Sequence, residues 1–208
     1  MTSDQPLTSE QAAALLRRQD ALQAEALHVI AGLELFGVLG ASGETWHIGS
    51  SVSGLMVWRD IDFNVVAPGL SAAQALATMR PLLIHPRVTQ ARYINESGPF
   101  NETGLPRDER YYFAFYYREE EGVEWKIDVS FWLQDVPRDG PGQLAAMAQR
   151  LTEETRLAIL WIKDVWHQLP TYRRDVSSMD IYDAVLEHGV RTPAGFDAYL
   201  RARGKPTR

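Results

Sequence analysis

The chain has 208 residues, 45% hydrophobic and 23% charged, proportions that point to a globular protein and away from disorder, collagen or coiled coil. Its formal net charge of −6 disfavours a protein built to wrap nucleic acid, which needs clustered Lys and Arg. The absence of cysteine removes disulfides, thiolate catalysis and cysteine-ligated metal sites together.

The first residues, Met1 to Pro6, have neither the basic start nor the apolar run of a secretory signal. No window approaches the ~18 consecutive apolar residues of a membrane span. A cytoplasmic protein without membrane contact is expected. Thr8-Ser-Glu-Gln11 has the form of a capping box, and Leu15, Leu16, Leu22, Ala26, Leu27 and Ile30 follow at helical spacing, so a long N-terminal helix is predicted. It should stop in the glycine-punctuated stretch from Gly32 to Gly43, after which Thr45 to Ile48 is a short buried strand running into Gly49-Ser50.

Asp60 to Val66 alternates, with Ile61, Phe63 and Val65 on one side and Asp60, Asp62 and Asn64 on a wet face. A helix over 71–84 and a strand over 88–94 follow, then a long loop over 95–109. Tyr111 to Tyr117 and Val123 to Leu133 form a hairpin, and the second strand places Glu124, Lys126, Asp128 and Ser130 on its polar face. From about Gln143 the pattern turns helical. Leu157, Leu160, Trp161 and Val165 make an apolar stripe, and further helices cover 178–188 and 193–203, the last started by Thr192-Pro193. The fold class is therefore α+β: a mixed β-sheet with packed helices over 1–140, followed by a C-terminal helical lobe over 141–208.

Asp60 and Asp62 point the same way from one strand, and two such carboxylates repel unless solvent or a cation intervenes. Mg²⁺ suits them, since it takes one or two carboxylates and completes its octahedron with waters and phosphates. Asp128 could close a two-metal clamp if its strand is a neighbour. Upstream, the Gly49-Ser50 turn lets backbone approach a phosphate closely.

Ile48-Gly49-Ser50, nine residues (51 to 59), Asp60-Ile61-Asp62-Phe63, and later Ile127-Asp128-Val129 together resemble the signature of the DNA polymerase beta-like nucleotidyltransferase superfamily. The match covers roughly residues 45–133, and in size the chain is most similar to the small antibiotic nucleotidyltransferases acting on aminoglycosides or lincosamides. The resemblance implies a nucleotidyltransferase core that moves a nucleoside monophosphate from a nucleotide triphosphate to a hydroxyl of a small molecule, releasing pyrophosphate. It implies that Gly49, Ser50 and Ser51 hold the triphosphate, that Asp60 and Asp62 bind Mg²⁺ or Mn²⁺, and that Asp128 completes the metal site and helps activate the attacking hydroxyl.

Two positions depart from the pattern. Val52-Ser53-Gly54 stands where many small members have Ala-Arg-Gly, so a phosphate-facing arginine is missing, and Arg59 replaces a small or acidic residue. Either triphosphate affinity is lower or another cation, Lys126 or Lys163, supplies the charge. Lys126 reads equally well as a partner for Asp128. A nucleotidyltransferase acting on RNA or protein remains an alternative, supported only by the basic tail with Arg201, Arg203, Lys205 and Arg208. So does a non-catalytic nucleotide-binding or regulatory module. Elsewhere, His47 reads as structural, and Tyr111 to Tyr117, Trp161 and Trp166 read as core. Glu119 to Glu121 reads as a solvated hairpin tip, with attraction of a cationic substrate as the sharper possibility.

Overall fold

A computed structural model describes residues 5–135 and 141–208, and the expected boundary at 140 lies outside the described residues. The chain forms two compact units. One comprises the chain up to Leu22 together with Leu55–Val57 and Ala146–Arg208; the other comprises Gln23–Gly54 and the stretch from Trp58 to Ala145. Helix α1 (Ser9–Gly32) contributes to both. It begins at the predicted capping box, where the Thr8 N–H donates to Gln11 Oε1 at 2.8 Å and the Gln11 N–H donates to Thr8 Oγ1 at 3.2 Å.

The second unit holds a five-stranded mixed sheet of order β1-β2-β5-β4-β3, formed by β1 (Glu44–Ile48), β2 (Asp60–Val66), β3 (Val88–Glu96), β4 (Arg110–Arg118) and β5 (Glu124–Trp132). All neighbouring pairs are antiparallel except β2 with β5, which is parallel. The apolar face carries Ile61, Phe63 and Val65 from β2, Phe113 and Phe115 from β4, and Trp125, Ile127, Val129 and Phe131 from β5, each at most 1% exposed. Burying each such side chain contributes roughly 1.5–3 kcal/mol.

Helix α2 (Leu35–Gly40) lies against this face through Phe36, whose ring meets Phe63 edge-on at 5.2 Å. This helix falls where glycines suggested only a break: Leu35 and Leu39, one turn apart and fully buried, offset the low helix propensity of Gly37. Helix α4 (Ala72–Leu83), started by a capping box between Ser71 and Gln74, packs on β3 and β4 through Ala75, Met79 and Leu82. Between β1 and β2 sits a single turn of helix, α3 (Ser50–Ser53).

Two expectations need correction here. The strand through Thr45 to Ile48 is an edge strand, and none of its residues is fully buried. Conversely the face of β2 expected to be wet is mostly enclosed: Asp60 is 7% and Asn64 5% exposed, and only Asp62 keeps partial access. Side chains of neighbouring β5 stand over this face: Lys126 Nζ lies 3.7 Å from Asp60 Oδ1, and Trp132 Nε1 donates to Asn64 Oδ1 at 2.9 Å. The loop over 95–109 is long, as expected, and contains 3-10 turns at Gly98–Phe100 and Pro106–Asp108.

In the first unit α6 (Glu153–Trp166), α7 (Ser178–Leu186) and α8 (Pro193–Ala202) pack on one another, preceded by α5 (Pro141–Arg150). The buried stripe of α6 is rotated from the expected one. Ala158, Ile159, Leu160, Ile162 and Trp166 are buried, whereas Leu157, Trp161 and Val165 are only partly covered. Trp166 is core, edge-on to Phe196 at 5.2 Å, but Trp161 is not; it lines a groove with Leu7, Leu15 and Val165. The Arg18–Asp164 and Arg156–Asp20 ion pairs join α1 to α6. Among the described residues no helix is long and apolar enough to cross a membrane.

Candidate active site

The parallel pairing of β2 with β5 sets Asp60 opposite Lys126 and Asp62 opposite Asp128. Partners in a ladder share a face, so four charged side chains from two adjacent strands gather on one side of the sheet. Lys126 Nζ donates to Asp128 Oδ2 and stands 3.7 Å from Asp60 Oδ1. These side chains are largely withdrawn from water, with Asp60 10%, Lys126 18% and Asp128 18% exposed.

Gly49 completes the arrangement. It has φ 80° and ψ −159°, a conformation essentially restricted to glycine, and a Cβ placed on it would come within 2.3 Å of Asp62 Oδ2. The turn backbone and the carboxylate are thus in direct contact, and no other residue type fits. Ser50 follows as the first residue of α3 and is 8% exposed. The Gly49 carbonyl accepts from the Val52 and Ser53 N–H groups and from Ser53 Oγ, which fixes the turn's orientation.

The electrostatics follow from burial and crowding. Burial raises the Asp128 carboxyl above its ordinary value and Asp60 adds to this, while Lys126 and a hydrogen bond from Tyr112 act in the opposite direction. Burial works against the Lys126 charge, yet the carboxylates of Asp60 and Asp128 hold its ammonium above its ordinary value. Burial and the neighbouring Asp128 push the Tyr112 phenol up to about 12, so it remains a donor. Oδ1 of Asp128 is buried and accepts no hydrogen bond from the described residues.

No protein-family model matches this sequence, and no curated protein matches it significantly.

The chemistry of the donor set bears on a divalent metal. Asp60 and Asp62 offer hard oxygens on one face, the Gly49 backbone is packed against the Asp62 carboxylate, and Asp128 keeps an orphaned buried oxygen. Two carboxylates on one strand face are the donor number and type that Mg²⁺ takes from a protein. Among the described residues, however, no three His, Asp or Glu side chains are gathered closely enough to cage a metal by themselves, and Asp128 is drawn to Lys126.

Two residues expected to hold nucleotide are engaged elsewhere. The Ser51 hydroxyl lies 2.7 Å from His47 Nε2, and its carbonyl accepts from Gln23 Nε2 at 2.8 Å; the residue is 2% exposed. Lys163 belongs to the other compact unit, is 1% exposed, and donates to the Leu55 carbonyl at 2.7 Å and to Tyr182 Oη at 3.3 Å. Its charge serves the interior of that unit. Arg59 cannot replace the missing arginine either, because its guanidinium is held by Glu25 at 2.9–3.0 Å and lies 5.9 Å from the Trp125 ring.

Tyr112 was the residue the sequence concealed. Tyr111, Phe113 and Phe115 face the core, and the register Tyr112–Ser130, Ala114–Asp128 turns Tyr112 to the carboxylate side. Hairpin register, once fixed at the turn, is the signal that places it. Further along the same face Arg110 donates to Ser130 Oγ at 3.2 Å, pairs with Glu96, and lies 5.2 and 5.0 Å from the Tyr112 and Trp132 rings. At the hairpin tip, Glu119 accepts from Trp125 Nε1 and Glu120 pairs with Arg87, so two of the three acidic residues already have partners.

Proposed function

We propose that this protein is a metal-dependent nucleotidyltransferase, acting in the cytoplasm, that moves a nucleoside monophosphate from a nucleotide triphosphate to a hydroxyl of a small molecule. The observation that carries the proposal is the contact of Gly49 with Asp62, with Asp128 directly opposite on the parallel neighbour. Chance alternation would give polar residues on a strand, but not a glycine-only turn seated on the same carboxylate.

The chain's residues divide the work as follows. Asp60 and Asp62 would hold Mg²⁺ or Mn²⁺, which when bound neutralises charge on the triphosphate and the departing pyrophosphate. Gly49 and Ser50 bring backbone and a hydroxyl beside the phosphates. Asp128, its carboxyl raised by burial, would take the proton of the acceptor hydroxyl, with Lys126 bonded to its other oxygen, Oδ2. Lys126 adds positive charge where the family's arginine is missing. Little covalent chemistry is asked of the protein, since alignment and electrostatics dominate phosphoryl transfer.

The reading in which RNA or protein is the acceptor rests on the basic tail, most of whose charge is paired within the protein. Arg203, Lys205 and Arg208 of the basic tail pair with Asp183, Asp180 and Asp197. Incubation with the four nucleotide triphosphates, Mg²⁺ or Mn²⁺ and a panel of hydroxyl-bearing acceptors tests the proposal by pyrophosphate release. Nucleotide binding without release, across the panel, would favour a regulatory binding module instead.

A further inference from the structure

We propose that the Lys126 ammonium is a built-in counter-ion standing in for a second divalent cation, so that the site takes one divalent metal together with the nucleotide. This rests on the nucleotidyl-transfer reading above.

Lys126 lies directly opposite Asp60 in the β2–β5 ladder and two residues before Asp128 on the same face of β5. Its amine therefore rises between the two carboxylates, hydrogen-bonded to Asp128 Oδ2 and 3.7 Å from Asp60 Oδ1. In two-metal centres the ions stand ~3.5–4 Å apart, and the second must share carboxylates with the first. Here the place where a cation could touch both Asp60 and Asp128 is the place of the ammonium. The enclosing side chains leave little water to screen a divalent ion set beside it, and like charges at that range repel strongly. Asp62 is offset along β2 from the ammonium and lies against Gly49, which leaves Asp60 and Asp62 as the carboxylate pair for a single hard cation.

The distribution of charge supports the same conclusion. Three carboxylates on one partly buried face would carry three negative charges without compensation; an intramolecular cation removes one of them permanently. A lysine in that position holds Asp128 in a fixed orientation before any metal or nucleotide arrives.

The test is a count of metal ions on the full-length protein. Mn²⁺ is titrated into the protein with α,β-methylene-ATP, whose α,β bridge resists cleavage, and free Mn²⁺ is read by electron paramagnetic resonance. One Mn²⁺ per bound nucleotide is expected for the wild type and for Lys126→Arg, and two for Lys126→Met, with melting temperature checked in each. Asp128→Asn should keep the single ion with Mn²⁺ affinity within about threefold of wild type, because that ion does not depend on Asp128. Two Mn²⁺ in the wild type, or one in a folded Lys126→Met, overturns the proposal while nucleotidyl transfer stands. Should Lys126→Met not fold, the wild-type count decides alone. Binding of neither Mn²⁺ nor the analogue by the wild type removes the parent reading, and this proposal with it.

Discussion

The α-carbon of Gly49 is seated against the carboxylate of Asp62, so closely that an added methyl group would stand 2.3 Å from Oδ2. Replacing Gly49 by Ala therefore meets two penalties, a backbone region closed to side chains and a steric clash. Gly69 offers a control, with φ 74° but open space where its Cβ would go. Gly69→Ala should cost about 1 kcal/mol and leave nucleotide binding intact, whereas Gly49→Ala should cost on the order of 3 kcal/mol and abolish binding. Urea unfolding and nucleotide titration on both variants check the pair, and equal costs would contradict the packing argument.

Asp60→Asn and Asp62→Asn should each reduce pyrophosphate release by about 10²-fold or more, the usual consequence of deleting one electrostatic stabiliser. Neither should lower the melting temperature appreciably, because each removes a negative charge from a crowded face. Full activity in either variant would sink the assignment of both carboxylates.

His47 supplies a pH test. Burial lowers its imidazole to about 4, with the ring stacked 5.1 Å from Phe63 and Nε2 against Ser51. Between that value and the ~6.5 of an unfolded chain, the unfolded state binds more protons, so stability must fall as pH drops from 6.5 towards 4. The loss is on the order of 3 kcal/mol at most. His47→Gln should flatten stability against pH over that window in chemical denaturation, and an unchanged slope would show that another group titrates there. Since Ser51 belongs to the turn that carries Gly49, nucleotide affinity of the wild type should decline over the same interval.

Arg208 and Asp197 form a pair with 18% and 15% side-chain exposure, more enclosed than most surface ion pairs. Arg208→Ala should cost about 1 kcal/mol, and a double-mutant cycle with Asp197→Ala should recover most of it as coupling. Binding to single-stranded RNA at physiological salt should be negligible for wild type and variant alike. A wild-type affinity that falls steeply with salt and is lost in the variant would restore the nucleic-acid reading.

What could be read from the residues was whatever local rules govern. Strand β2 came out residue for residue because Asp60 to Val65 alternates without interruption, and Thr8 and Thr192 announced helix starts by capping chemistry. What could not be read depended on neighbours distant in sequence. Asp60 and Asn64 are buried because Lys126 and Trp132 of β5 reach over them; Ser51 is spent on His47, Arg59 on Glu25 and Lys163 on Leu55. The stripe of α6 was misplaced because bulky residues recur at helical spacing on more than one side, so periodicity alone could not choose between Trp161 and Trp166. At the site, spacing suggested which carboxylates to consider, but only the parallel register puts Asp128 beside Asp62 and Lys126 between Asp128 and Asp60.

That register has a consequence for how the molecule comes into being. β1 with β2 is one hairpin and β3-β4-β5 is one meander, each held by antiparallel contacts between consecutive strands; the single parallel seam joining them is β2 with β5. A nascent chain that has emerged only through β4 carries Gly49, Asp60 and Asp62, but not the strand that brings Lys126 and Asp128 to them. Until β5 closes the seam, the aromatic edge of β4 and the flank of β2 stand open to whatever strand arrives first, and closing it requires a contact between segments more than sixty positions apart. The centre of the sheet is its last strand to be synthesised, so shortening the interval during which β4 lies uncovered, by chaperone supply or slower translation, should raise the yield of correctly assembled protein.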